Sequence, residues 1–124
     1  MSLSLHLDDM QTNPKRRSAV MADQQRPKHY KRLMELFPDV LSAHENLGTA
    51  IRNAGPIEPK NIELIQLAAA ASSGSEGSVH SHTRRALQKG ASQEEIYHTL
   101  LLLISTIGFP RVAAAISWAQ DILE

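Results

Sequence analysis

Four side chains in the second half of the chain have the chemistry and spacing of an acid–base site. Glu63, Ser75, Ser78 and His82 follow the pattern E-x11-S-x2-S-x3-H. On a helix, Ser75 and Ser78 lie three residues apart and Ser78 and His82 four apart, so their side chains share one face. His82 also falls on the apolar stripe of that helix and is expected to point inward. An inward imidazole beside a carboxylate from the preceding helix is a candidate for proton transfer.

Each of these residues also has a simpler interpretation. Glu63 can be an exposed carboxylate in the first turn of a helix, where the helix dipole favours it. Its functional interpretation is a partly buried carboxylate that faces His82, with a pKa raised to suit proton transfer. His82 alone can be a core histidine with satisfied hydrogen bonds, and Ser75 a simple N-cap. Ser78 is harder to explain by helix formation alone.

Three other reaction types can be compared with general acid–base catalysis. The chain contains no cysteine, which excludes disulfides, thiolate metal sites and thiol nucleophiles. His80 and His82 are two residues apart and point in different directions on a helix, so we expect no metal and no other cofactor. A hydrolase built from Ser78, His82 and Glu63 stays open, although the chain lacks a G-x-S-x-G turn. Proton transfer by His82 with Glu63 needs the fewest additional groups.

Two adjacent arginines follow the motif. Arg84 and Arg85 can bind a substrate carboxylate through bidentate hydrogen bonds. Alternatively, they are surface charges near the end of a helix, where the helix dipole favours cations. His44 and His98 have no partners at useful spacing and are expected to be structural or exposed.

These residues are expected on an all-α bundle of about six helices. Helical spacing, prolines at helix starts and glycines at helix ends place the helices near 27–37, 38–53, 59–73, 75–89, 92–108 and 110–123. Ser92 and Glu95 have the spacing of a capping box. The fifth helix is apolar nearly all round from Tyr97 to Ile107, so it should be central or lie at a subunit interface.

Length and charge limit the class of protein. A length of 124 residues predicts a single helical domain, here over 27–124. Residues 1–26 are polar without a sustained period, which predicts an N-terminal arm. The formal net charge is zero, so we expect no nucleic-acid partner, and the basic run 15–17 is interpreted as part of the arm. Neither a signal peptide nor a run of about 20 apolar residues is present, which predicts a cytoplasmic protein without a membrane partner.

Apolar residues are concentrated in the second half of the chain. Residues 1–60 carry nine Lys/Arg and seven Asp/Glu, whereas residues 61–124 carry four and six. A domain of this size buries only about two-thirds of its unfolded surface. We therefore expect part of the apolar helix surface to pack against other copies of the chain.

The segment from Pro59 to Leu123 resembles the carboxymuconolactone decarboxylase / alkylhydroperoxidase-D-like (AhpD-like) family. The redox branch of that family has E-x11-C-x2-C-x3-H; here Glu63 and His82 coincide with its Glu and His, and Ser75 and Ser78 with its two cysteines. Further matching positions are Ala86, Gly90, the segment SQEEI at 92–96 and the segment GFP at 108–110.

The resemblance implies an all-α fold that assembles as a homotrimer or homohexamer with sites near subunit contacts. With serine at both cysteine positions, the thiol peroxidase reaction of the redox branch cannot occur. The decarboxylase branch manages without the cysteines and acts on a lactone carboxylic acid. It implies an acid–base catalyst in which His82 moves the proton, Glu63 tunes or accepts it, and Ser75 and Ser78 bind substrate or water.

Two alternatives to this enzyme stay open at this point. One is a catalytically degenerate oligomer with a binding or structural role, similar to a peroxidase only by family. The other is the hydrolase that uses Ser78. In the enzyme interpretation, Arg84 or Arg85 holds the carboxylate of a small-molecule substrate.

Overall fold

The computed structural model describes residues 27–124, which form seven α-helices. In chain order they are α1 (Lys28–Leu36), α2 (Pro38–Arg52), α3 (Pro59–Ser73), α4 (Glu76–Gln88), α5 (Gln93–Leu101), α6 (Ile104–Ile107) and α7 (Phe109–Leu123). No strand occurs among residues 27–124, so the all-α prediction is confirmed. The predicted arm over 1–26, with its basic run at 15–17, lies outside the described residues.

Five of the predicted helices agree with the structure to within one or two residues, but the fifth is divided into α5 and α6. The capping box at its start is present, with Ser92 and Glu95 bonded to each other's backbone. At its other end the backbone tightens, because Leu103 N–H donates to Leu100 and Thr106 N–H to Leu103, three residues back. The isoleucines and threonine of α6 are weak helix formers, which favours this interruption.

The chain divides into two compact units between Leu47 and Gly48. In the described part of the first unit, the Tyr30 hydroxyl donates to Glu45 Oε1 at 3.1 Å and joins α1 to α2. The second unit runs from Gly48 to Glu124 and contains the core. A single domain over 27–124 stays a prediction.

The core of the second unit lies between α3, α4, α5 and α7. Its buried residues are Leu67, Ala70, Ala71, Val79, Ala86, Ala91, Ile96, Leu100, Val112, Ala115 and Ala119. Six of the eleven are alanines. Side chains this small let the backbones of neighbouring helices approach closely. Residues of α3 and α4 thereby come within hydrogen-bonding distance.

A two-residue turn reverses the chain between α3 and α4. Gly74 has φ +70°, and its N–H and that of Ser75 donate to carbonyls of the last turn of α3. Ser75 then caps α4, because its Oγ accepts from Ser78 N–H at 3.4 Å. The helices on either side of the turn, α3 and α4, pack against each other.

Replacing Gly74 with alanine is expected to lower the free energy of unfolding by about 1–2 kcal/mol, since a side chain is strained in the left-handed conformation. The added methyl group also meets the Arg111 guanidinium, which would have to move. Gly77 is the control: it lies inside α4 with open space around it. Gly77→Ala is expected to stabilise by about 0.5–1 kcal/mol. Urea unfolding of both variants measures the effects, and equal effects would contradict the role of the turn.

Thr83 is an unsatisfied polar group in the core. Its side chain is fully buried, and its hydroxyl has no hydrogen-bond partner among the described residues. Thr83→Val removes that hydroxyl with little change of shape and is expected to raise the free energy of unfolding by about 1 kcal/mol. Thr99→Val is the matched control, because the Thr99 hydroxyl already donates to the Glu95 carbonyl at 2.8 Å. Equal gains in both variants under urea would show that the Thr83 hydroxyl is satisfied.

None of the helices between residues 27 and 124 combines the length and apolar character that crossing a bilayer requires.

Candidate functional site

Glu63 occupies a core position on α3. It is 2% exposed and lies in register with Leu67, Ala70 and Ala71, four, seven and eight residues later on the same face. The interpretation as an exposed first-turn carboxylate is therefore wrong. An ionised carboxylate at such a position requires charged hydrogen-bond donors.

Two cationic or cation-forming side chains meet the Glu63 carboxylate. Arg52 Nη2 donates to Oε1 at 3.0 Å and Nε to Oε2 at 3.3 Å. His82 Nδ1 lies 3.3 Å from Oε1. Arg52 Nη2 also donates to Gln66 Oε1 at 2.9 Å, one turn along α3. The last residue of α2 and the middle of α4 thus converge on one buried acid.

The Glu63 carboxyl group is held ionised. Burial by itself favours the neutral form and raises the pKa of Glu63, but the hydrogen bonds from His82 and Arg52, together with their charges, outweigh it and bring the pKa down from 4.5 to about 2. The expected raised pKa is therefore wrong, because Arg52 was not foreseen. A carboxylate with this pKa accepts hydrogen bonds and does not take up a proton at neutral pH.

This pKa predicts a stability loss in acid. The folded-state pKa lies below the unfolded value, so the unfolded chain binds more protons as the pH falls through the window from about 4.5 to about 2. Glu63 then contributes stability that is complete above that window and lost within it, amounting to about 3 kcal/mol. Urea unfolding across this pH range, compared with Glu63→Gln, measures the contribution. Parallel pH curves for the two proteins would contradict a depressed pKa.

The ionised carboxylate determines which nitrogen of His82 carries the proton. A carboxylate only accepts hydrogen bonds, so Nδ1 must be the donor. In the neutral imidazole, Nε2 is then left with its lone pair. The His82 side chain is 19% exposed, so the ring is shielded but not sealed from solvent. This arrangement suits a general base whose orientation is fixed by an acid behind it.

The two serines lie in different positions from those expected. Ser75 precedes α4 with extended backbone angles, so it is outside the helix and does not share a helical face with Ser78 and His82. Its hydroxyl oxygen serves as the N-cap. Ser78 is half-buried in the first turn of α4, and within residues 27–124 no hydrogen bond joins its hydroxyl to His82. The serine–histidine contact that a hydrolase needs is not formed in this structure.

The two arginines after the motif are half-buried on α4. Burial lowers the pKa of the Arg84 guanidinium. Arg85 lies in the last turn of α4, where the helix dipole favours a cation. Their roles as substrate ligands stay predictions. His44 and His98 are exposed, in agreement with the sequence interpretation.

An apolar groove opens on a different side of α3. Its volume is about 480 Å³, and its lining residues are Ile57, Asn61, Leu64, Ile65, Ala68, Thr99, Leu102 and Leu103. None of Glu63, Ser75, Ser78 and His82 lines it. The groove is therefore separate from the acid–imidazole pair.

Arg52 is the site residue that the sequence interpretation missed. Arg52 is the last residue of α2, and a cation is common at a helix C-terminus. Its type and position therefore do not indicate a role in a site. The indirect signal was Glu63 itself, which shares the 3.6-residue period of the α3 core residues. A carboxylate in that register needs a basic partner, and Arg52 is 11 residues away along the chain.

Comparisons with known proteins bear on the sequence family and on the fold. Residues 38–121 match the model of the carboxymuconolactone decarboxylase family. The fold is similar to the crystal structure of an apo carboxymuconolactone decarboxylase family protein from Legionella pneumophila, with a TM-score of 0.66 and 21% identity, over 77% of this chain and 88% of that chain. At that identity the likeness shows the fold alone. Among curated proteins, none matches this sequence significantly.

Proposed function

Because the chain belongs to the carboxymuconolactone decarboxylase family, we propose that it catalyses proton transfer on a small organic acid of the lactone type. The observation that supports this most strongly is the buried Arg52–Glu63–His82 arrangement, with Glu63 Oε1 3.0 Å from Arg52 Nη2 and 3.3 Å from His82 Nδ1. It supplies an oriented imidazole with a free Nε2 beside a permanent negative charge.

In the proposed reaction His82 is the catalytic residue and the two others are positioning residues. Nε2 would take up a proton from solvent and deliver it to carbon after the ionised carboxyl group leaves as CO2. The electrons of the broken C–C bond would be held meanwhile by conjugation with the lactone carbonyl. Glu63 would stabilise the imidazolium that forms, and Arg52 would keep Glu63 ionised. Glu63 itself would not accept the proton, given its pKa of about 2.

Substrate binding is proposed for three further side chains on α4. Ser78 would hydrogen-bond the substrate or an ordered water, and Arg84 or Arg85 would hold its carboxylate. Ser75 would act only through the backbone, by fixing the start of α4. Thiol peroxidase chemistry is outside the proposal, since the chain has no cysteine.

A binding or structural role without catalysis is the second candidate. It is favoured by the position of Ser75: the resemblance pairs this residue with a cysteine of the family's redox branch, whereas its hydroxyl here caps a helix. In that case the Arg52–Glu63–His82 arrangement would serve only to satisfy a buried charge.

Incubation with small lactone carboxylic acids in deuterated water separates the two candidates. The first predicts CO2 release and one deuterium incorporated on a carbon of the conjugated system that holds the electrons. Thermal stabilisation by such acids without turnover or deuterium incorporation would contradict it and support a binding protein.

We also propose that copies of the chain associate, as trimers or hexamers. Large apolar side chains are exposed on the second unit, notably Ile65 at 54%, Leu102 at 62% and Phe109 at 64%. Faces of this kind are typical of subunit contacts. Light scattering at micromolar concentration is expected to give a mass several times 13.7 kDa. A monomer would contradict self-association and require residues 1–26 to cover these faces.

A further inference from the structure

Three metal-ligating side chains meet where α4 approaches α7, away from Glu63. Glu76 and His80 are four residues apart on α4 and therefore lie on one face of it. Asp121 comes from the last turn of α7, and its Oδ2 lies 2.9 Å from His80 Nε2. One ligand atom from each of the three residues lies within 4.8 Å of the other two.

We propose that this cluster binds a divalent transition-metal ion of the zinc class. Ligand bonds of about 2.0–2.2 Å place neighbouring ligand atoms about 3–3.5 Å apart. The His80–Asp121 distance already approaches that value, and the carboxylate of Glu76, which is exposed, lies within 4.8 Å of both ligand atoms. An imidazole with two carboxylates favours zinc or nickel over magnesium, which prefers oxygen ligands alone.

The cluster is more than a group of surface acids. His80 is half-buried, with a side chain 22% exposed, and its ring is already directed at a carboxylate from another helix. His80 Nε2 lies 2.9 Å from Asp121 Oδ2, and the tautomer with its proton on Nδ1 offers Nε2 to a cation at the same place. Three protein ligands also leave room for water to complete the coordination shell.

The proposal differs from the expectation that the chain has no metal site. That expectation was based on His80 and His82 pointing in different directions, which the structure bears out: His82 faces Glu63 and His80 faces Asp121. The third ligand comes from α7, 41 residues after His80, so no local spacing reveals it. A bound ion would join α4 to α7 and would not take part in the chemistry of His82.

Calorimetric titration of the full chain with Zn²⁺ at neutral pH tests the proposal. We expect one ion per chain and a rise of the melting temperature with zinc concentration. His80→Ala and Asp121→Asn should each weaken binding by roughly tenfold or more. Melting curves without metal show whether these variants are folded, and Co²⁺ in place of zinc should give absorption bands of a protein-bound ion.

Two histidine variants are the controls. His44 and His98 are exposed and lie outside the cluster. Alanine at either position should leave zinc affinity unchanged. The proposal is overturned if the wild-type chain shows no saturable binding, or if zinc binds His80→Ala as tightly as the wild type. Because activity is not measured, neither outcome depends on the proposed catalytic role of His82.

Discussion

Replacing Arg52 with methionine is expected to lower the free energy of unfolding by about 3 kcal/mol at neutral pH. The change removes the guanidinium that donates to both oxygens of Glu63, a residue that is 2% exposed in the native protein. Nδ1 of His82 still contacts the carboxylate, which sets the estimate at the lower end of the range for a broken buried pair. Urea unfolding measures the change.

A matched control for Arg52→Met is Arg32→Met. Arg32 forms an ion pair with Glu35 at 2.9 Å, but both side chains are about two-thirds exposed, at 64% and 67%. Surface pairs of this kind contribute at most about 1 kcal/mol. Equal losses in the two variants would mean that the Glu63 carboxylate does not depend on Arg52.

The double variant Arg52→Met with Glu63→Leu tests the cause of the loss. If the loss comes from an uncompensated buried charge, removing that charge should restore most of the stability. A double variant as unstable as Arg52→Met alone would assign the loss to the packing of the Arg52 side chain instead.

Replacing His82 with alanine is expected to reduce turnover of the lactone acid by roughly 10²–10⁴-fold, the usual contribution of a side chain positioned for proton transfer. Glu63→Gln should cause a smaller loss, since the amide oxygen can still accept from Nδ1 while the charge behind the imidazolium is gone. His98→Ala, an exposed histidine outside the site, should leave kcat/KM unchanged. Steady-state kinetics over a range of pH measures all three.

The His82 variants also distinguish catalysis from fold maintenance. Melting temperatures measured in parallel report whether a loss of turnover reflects unfolding. Full turnover by a folded His82→Ala protein would contradict the catalytic role and leave the Arg52–Glu63–His82 arrangement as a structural feature.

Much of the helical framework could be predicted from the sequence because its boundaries are local. Prolines at 38 and 59 start helices, and Gly74 ends one with a left-handed conformation. The split of the fifth helix was not foreseen, since the apolar pattern from Tyr97 to Ile107 continues without a proline or glycine. The tightened backbone near Leu103 depends on hydrogen bonds between residues three apart, and the spacing of the apolar residues does not reveal these bonds.

The candidate site was only partly predictable, because its partners are not all local. Glu63 and His82 were expected together, and their atoms lie 3.3 Å apart. Ser75 was placed on the wrong face because the residue type does not distinguish an N-cap from the first residue of the helix. The sign of the Glu63 pKa shift was wrong, because it depends on Arg52, which reaches the acid from another helix.

The proton position on His82 tests the central claim most directly. Nitrogen-15 NMR of the imidazole at neutral pH distinguishes a protonated Nδ1 from a protonated Nε2. An ionised Glu63 that accepts from Nδ1 predicts that the neutral ring carries its proton there, with Nε2 free, and that Glu63→Gln alters this preference. A neutral ring protonated at Nε2 in the wild-type protein would contradict the account, since the ionised carboxylate would then have no donor in His82.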